Sequence, residues 1–164
     1  MKRALATFGF VGLLRPAPGS WGSAAAIPFA WLLHGLGGFP LLLFATGVVF
    51  AVGVWAIAGL VADVEDPDRS EFVIDEVVGQ WIALWPLSAG LWAAGATPWL
   101  FPWPGWVGAF LMFRLFDIWK PGPIGRLDAM KSPLGVMLDD VAAGMAAAVI
   151  VALAAALAHG VLMQ

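Results

Sequence analysis

The sequence predicts an all-α integral membrane protein: one domain, residues 1–164, folded as a helical bundle of about five segments with one or two of them short or re-entrant. Three observations predict it. The chain is 62% hydrophobic and 12% charged, against about 45–50% and about 25% in a soluble domain. Its mean hydropathy is +0.90. Its charged residues gather in a few clusters outside the long apolar stretches. The 10 Trp and 12 Pro fit interfacial anchoring and short turns. The length leaves room for about four to six spans at roughly 20 residues each.

Taken in order, the chain begins with Lys2, Arg3 and an apolar run. A secretion signal starts in this way, but Arg15 and the prolines after it interrupt the run. The expectation is a short amphipathic segment leading into the first span. The first apolar segment runs from about Trp21 to Leu36, and Gly35, Gly37, Gly38 and Pro40 then mark a tight turn. The second covers about Leu41–Ala62, and an acidic loop from Asp63 to Glu71 follows. The third covers about Phe72–Ala94, with Pro86 as a kink. An uncharged turn rich in Pro and Trp, Gly95–Gly105, leads to a short fourth segment, Trp106–Trp119. Lys120–Pro133 reads as a polar, basic loop, and the fifth segment covers about Leu134–His159.

If the segments alternate across the membrane, Lys2, Arg3, Arg15, Arg69, Lys120, Arg126 and Lys131 share one side. Arg114 lies near the same end of the fourth segment. The positive-inside rule makes that side cytoplasmic and turns the C-terminus outward. His34 and His159 then fall at the outer face, away from every acidic cluster. That placement disfavours a histidine-nucleophile phosphatase. No DxDxT sequence is present either. The net charge of -3, with no basic stripe, predicts no nucleic-acid partner. With no cysteine there are no disulfides, thiol nucleophiles or thiolate-held metals.

Three acidic motifs share the predicted cytoplasmic face: Asp75-Glu76 in EFVIDEVVG, Asp117 in FRLFDIWKP and Asp139-Asp140 in GVMLDDVAAG. Carboxylates at the edge of hydrocarbon are costly, and such residues point to function. An acidic pair in a first turn also complements a helix dipole, which is the plainer reading of each pair alone. Two pairs in one small membrane protein favour oxygen ligation of a hard cation such as magnesium. Asp75, Glu76, Asp139 and Asp140 are the candidate metal ligands, and Asp117 is a further ligand or general base. Gly79 and Gly144, each four residues after an acid, would let helices approach closely. Arg114, Asp117 and Lys120 are spaced i, i+3, i+6 and form one helix stripe. Arg114 and Lys120 are therefore candidates to grip phosphate oxygens, although an internally neutral ion-pair stripe has the same pattern. The turn Gly19, Ser20, Trp21, Gly22, Ser23 precedes a helix and could offer amides and hydroxyls to an anion. It also reads as an ordinary cap.

PAPGSWGS, FVIDEVVGQWIAL, FRLFDIWKPGPI and GVMLDDVAAGM together resemble the phosphatidylglycerophosphatase A family, in the family order and over most of the chain. The resemblance implies an all-helical bacterial inner-membrane enzyme. It implies magnesium-dependent removal of the terminal phosphate of phosphatidylglycerophosphate, a phospholipid substrate met at the cytoplasmic face. Asp75, Asp117, Asp139, Asp140 and Lys120 would carry the catalysis, through a metal-activated water or an aspartyl-phosphate. A different class stays open: a small cation transporter or channel with the carboxylates as its ion pathway. That reading expects acids spread through the membrane depth.

Overall fold

The computed structural model of the protein describes residues 1–61 and 69–162, with side chains through residue 158. The described residues are all helix, turn and coil. Most of the acidic loop expected from Asp63 lies outside them, as does the His159 side chain.

The chain opens with α1 (Lys2–Ala6) and a 3-10 turn (Val11–Leu13). The Thr7 hydroxyl donates to the Arg3 carbonyl at 2.9 Å and ends α1 locally. The Val73 amide donates to the Ala6 carbonyl at 2.9 Å and ties this segment beneath the start of α3. Arg3 also pairs with Glu71.

Helix α2 (Pro18–Ala58) begins with proline at its first position, where no amide is needed. It covers both of the first two expected segments. The break comes at Gly37 and Gly38, whose backbone angles are non-helical. Gly38 has φ +65°, which glycine adopts without penalty. The two arms return to the same end of α3 (Ile74–Ala93): Gly22 packs on Val73, Gly53 packs near Ile74, and Gly38 at the break meets the Trp92 ring. Two helical arms therefore meet at Gly37 and Gly38, where the chain reverses.

Helix α4 (Trp103–Trp119) stops at Lys120, which takes a left-handed conformation and donates its amide to Phe116 at 2.8 Å. The expected loop after it contains a short helix, α5 (Pro123–Asp128), started by a proline at its first position. Helix α6 (Pro133–Leu162) completes the fold. Five separate segments are thus not what the structure lays out, because two expected segments form one broken element and two short helices are added.

Two helices, α2 and the stretch Pro133–Ala158, are long and apolar enough to cross a membrane. The core lies where α3 meets both arms of α2, α4 and α6. Phe113, Leu42, Leu84 and Met137 are fully buried there. Large apolar side chains on the outside, including Phe44, Ile118, Trp119 and Leu157, face outward as lipid-facing residues do. The tightest crossing is glycine on glycine: Gly144 of α6 lies against the backbone of Gly79 of α3, and Gly79 also faces the Asp140 carbonyl and the Phe113 ring. Small residues at such a crossing let backbones meet where lipid supplies no hydrophobic drive.

Candidate active site

The α3–α6 crossing brings the two acidic pairs together. Asp75 and Glu76 occupy the first turn of α3. Asp139 and Asp140 lie in α6, one turn before Gly144. Asp75, Glu76 and Asp140 each present a carboxylate oxygen, and these atoms all lie within 4.8 Å of one another. Asp75, Asp139 and Asp140 are buried at 7%, 5% and 3% exposure, too little for water to screen their charges. Helix α4 adds Asp117, which lies against both Glu76 and Asp140.

Two cations answer these charges. Arg114 pairs with Asp117 across one helical turn. Lys120 donates to Asp139 Oδ2 at 2.6 Å and also pairs with Asp128 at the end of α5. Burial by itself would favour the neutral amine. The hydrogen bonds and charges of Asp128 and Asp139 outweigh it and hold the Lys120 ammonium pKa above the ordinary lysine value. Its left-handed backbone turns Lys120 off the stripe that Arg114 and Asp117 share, and toward α5 and α6.

A cavity of about 70 Å³ opens among these groups, lined by Asp75, Glu76, Asp117, Lys120, Asp139 and Asp140, with Asp128, Ser70 and Phe72 at its edge. That is room for a small cation and a few oxygens. Asp139 Oδ1 and Glu76 Oε2 are buried with no hydrogen-bond partner. Buried carboxylate oxygens are normally satisfied. Clustered oxygens, two of them unpaired, are the donor set a hard divalent cation takes, so the residues present fit such an ion.

The glycine-serine turn divides. Gly19 packs directly against the Glu76 carboxylate and the Arg114 guanidinium, so a side chain there would fill the site's edge. Ser23, read as an anion donor, is buried and donates to the Gly19 carbonyl at 2.8 Å instead. Gly22 serves packing against Val73, and Trp21 is half-exposed. Ser20 is partly buried in the first turn beside Gly19. Asp128 was not among the residues singled out from sequence. Its only signal is an acid in an otherwise basic loop. His34 lies toward the other end of α3, where its Nδ1 meets the Ser88 hydroxyl at 2.8 Å.

These features fit a class of protein: a membrane protein with carboxylates and cations gathered beside apolar helices, suited to a divalent cation and an anionic substrate. A family model described as phosphatidylglycerophosphatase A matches residues 4–155. The chain is 36% identical over 141 residues to a phosphatidylglycerophosphatase A of Haemophilus influenzae, covering 85% of this chain and 80% of that protein. It is 35% identical over 149 residues to the Escherichia coli protein of that name, covering 88% and 78%. A Bacteroides thetaiotaomicron protein provisionally named phosphatidylinositol-3-phosphatase is 34% identical over 143 residues, covering 84% and 83%. No solved structure matches this chain. The chain belongs to the phosphatidylglycerophosphatase A family and is a lipid phosphatase.

Proposed function

We propose that the protein hydrolyses the terminal phosphate of phosphatidylglycerophosphate to give phosphatidylglycerol and inorganic phosphate, with magnesium, at the cytoplasmic face of a bacterial inner membrane. The observation that carries this reading is the approach of Asp75, Glu76 and Asp140 to within 4.8 Å, beside Lys120 and Arg114. Carboxylates alone would repel a phosphate, and cations alone would not hold a metal. The mixture suits both.

Asp75, Glu76 and Asp140 would hold the ion, with Asp139 and Asp117 around it. When bound, a divalent cation neutralises phosphate oxygens and polarises an attacking water. Lys120 meets phosphate oxygens as a point charge and Arg114 as a fork. Both already face carboxylates, so they are held in place before the substrate arrives. Asp139 has one oxygen fixed by Lys120 and the other free, which equips it to take a proton from the water. The water oxygen bonds to phosphorus, the ester bond to glycerol breaks, and the glycerol oxygen gains a proton. Gly19 keeps the edge of the site open. The acyl chains stay among apolar helices, with the charged cluster at the cytoplasmic face.

The test is phosphate release from phosphatidylglycerophosphate by protein purified in detergent, with magnesium and with chelator. Phosphatidylinositol 3-phosphate serves as competitor, because one relative carries that substrate in its name. Activity should vanish with chelator and in Asp75→Asn and Asp139→Asn. Release that survives the chelator and both substitutions rules the reading out.

A further inference from the structure

Gln80 is fully buried in α3, and neither atom of its side-chain amide has a hydrogen-bond partner. It lies four residues after Glu76, so the two side chains stack on one helix face with Cβ atoms about 5–6 Å apart. Glu76 has a buried, unpartnered oxygen of its own, Oε2. A carboxylate is acceptor-only, and an amide nitrogen carries two donors. The two unsatisfied groups are thus chemically complementary and one turn apart. The flanking residues of α3 are committed elsewhere: Trp81 donates its indole to the Ala26 carbonyl at 2.8 Å, and Gly79 meets α6. Arg114, the cation beside Glu76, pairs with Asp117 but keeps buried, unpartnered donors of its own, and it would bring a second charge from α4. Gln80 is the α3 side chain on the Glu76 face with an uncharged donor to spare.

We propose that Gln80 is a positioning residue for Glu76: its amide N–H donates to one Glu76 oxygen and leaves the other for the divalent cation. The inference rests on the metal reading of the site and adds a residue behind it. Partners of metal-ligating carboxylates orient them and tune their basicity. An amide does this without adding a charge to a cavity already lined by six carboxylates, Asp75, Glu76, Asp117, Asp128, Asp139 and Asp140.

The test is Mn²⁺ binding by the full chain in detergent, read by electron paramagnetic resonance, with the thermal unfolding midpoint as the control for folding. In Gln80→Met an unpaired buried amide becomes an apolar group of similar shape, so a merely structural role leaves stability unchanged or raised and metal affinity untouched. The positioning role predicts the same midpoint with Mn²⁺ affinity about 10- to 100-fold weaker. Gln80→Asn, whose amide is one methylene short of Glu76, should weaken binding in the same direction, and it decides the matter if Gln80→Met does not fold. Mn²⁺ affinity within twofold of wild type in the folded variants overturns the inference and leaves the metal reading intact. A wild-type protein that binds no Mn²⁺ removes the metal reading and this inference with it.

Discussion

Gly144→Ala should uncouple the active site while leaving the protein folded. A Cβ built at Gly144 stands 3.0 Å from the Gly79 Cα and 3.1 Å from its carbonyl carbon, and nearer still to its carbonyl oxygen. Carbon atoms sit comfortably at about 3.5–4.0 Å, so α6 must move off α3 by roughly 0.5–1 Å. The obstructing atoms are backbone, and no side chain can rotate away to absorb the contact. Asp140 lies one turn from Gly144 on the same face and moves with it, away from Asp75 and Glu76. A misplacement of about 1 Å costs on the order of 100-fold in rate. Overpacking should cost about 1–3 kcal/mol of stability. The assay is phosphate release from phosphatidylglycerophosphate beside thermal unfolding in detergent. Gly90→Ala and Gly108→Ala are the controls, because a Cβ at either meets nothing within 4 Å. If Gly144→Ala turns over within threefold of those controls, the crossing does not set the site's geometry and the reasoning fails.

Removing the Lys120 ammonium should abolish phosphate release, but the two simplest substitutions will differ in stability. Lys120 sits at φ +46°, so Lys120→Gly removes a left-handed penalty of about 1–2 kcal/mol that Lys120→Ala keeps. The glycine variant should melt higher, and both should be inactive in the same release assay. Arg114→Met leaves the partly buried Asp117 without its cation, a loss of up to about 3 kcal/mol in a denaturant titration. Arg114→Lys should recover stability better than activity, because a point charge replaces a fork. Ser88→Ala leaves His34 without its partner at the far end of α3. It should cost about 1–3 kcal/mol by the same titration and leave turnover unchanged; lost turnover would implicate this pair in the reaction.

Much of the site was legible in the sequence because its parts are local. Asp75-Glu76 and Asp139-Asp140 are each followed, four residues after one acid, by a glycine, and those two glycines meet in the structure. The i, i+3 relation of Arg114 to Asp117 needed only helical geometry, and it forms an ion pair. Extending the stripe to Lys120 did not hold, because the residue before Pro121 leaves the helix in a left-handed cap. Asp128 was illegible because its role depends on α5 folding back toward α6, a tertiary event that no spacing encodes. The sequence left Ser23 open between anion donor and cap, and inside the helix its hydroxyl instead bonds back to the carbonyl four residues earlier. The break in α2 was readable as a turn from Gly37, Gly38 and Pro40, and the non-helical angles fall at the two adjacent glycines.

How the polar groups are distributed with depth bears on transport against hydrolysis. Among the described residues, the clustered carboxylates lie at one end of α3. Farther along, the polar side chains are neutral and mostly committed to one another. Thr46 donates to the Leu42 carbonyl and accepts from the Trp85 indole, and His34 meets Ser88. A cation entering at Asp75 would leave its last carboxylate near the first turn of α3 and meet Val77, Leu84 and Phe113, all fully buried. Among the described residues, only the neutral Gln80 amide lies on that stretch to compensate the desolvation of a divalent ion. A phosphate ester faces no such crossing, since only its headgroup need reach the carboxylates while its chains stay beside the helices. The same placement that strands an ion therefore suits a lipid, and it ties the apolar bulk of the chain to the chemistry at its edge.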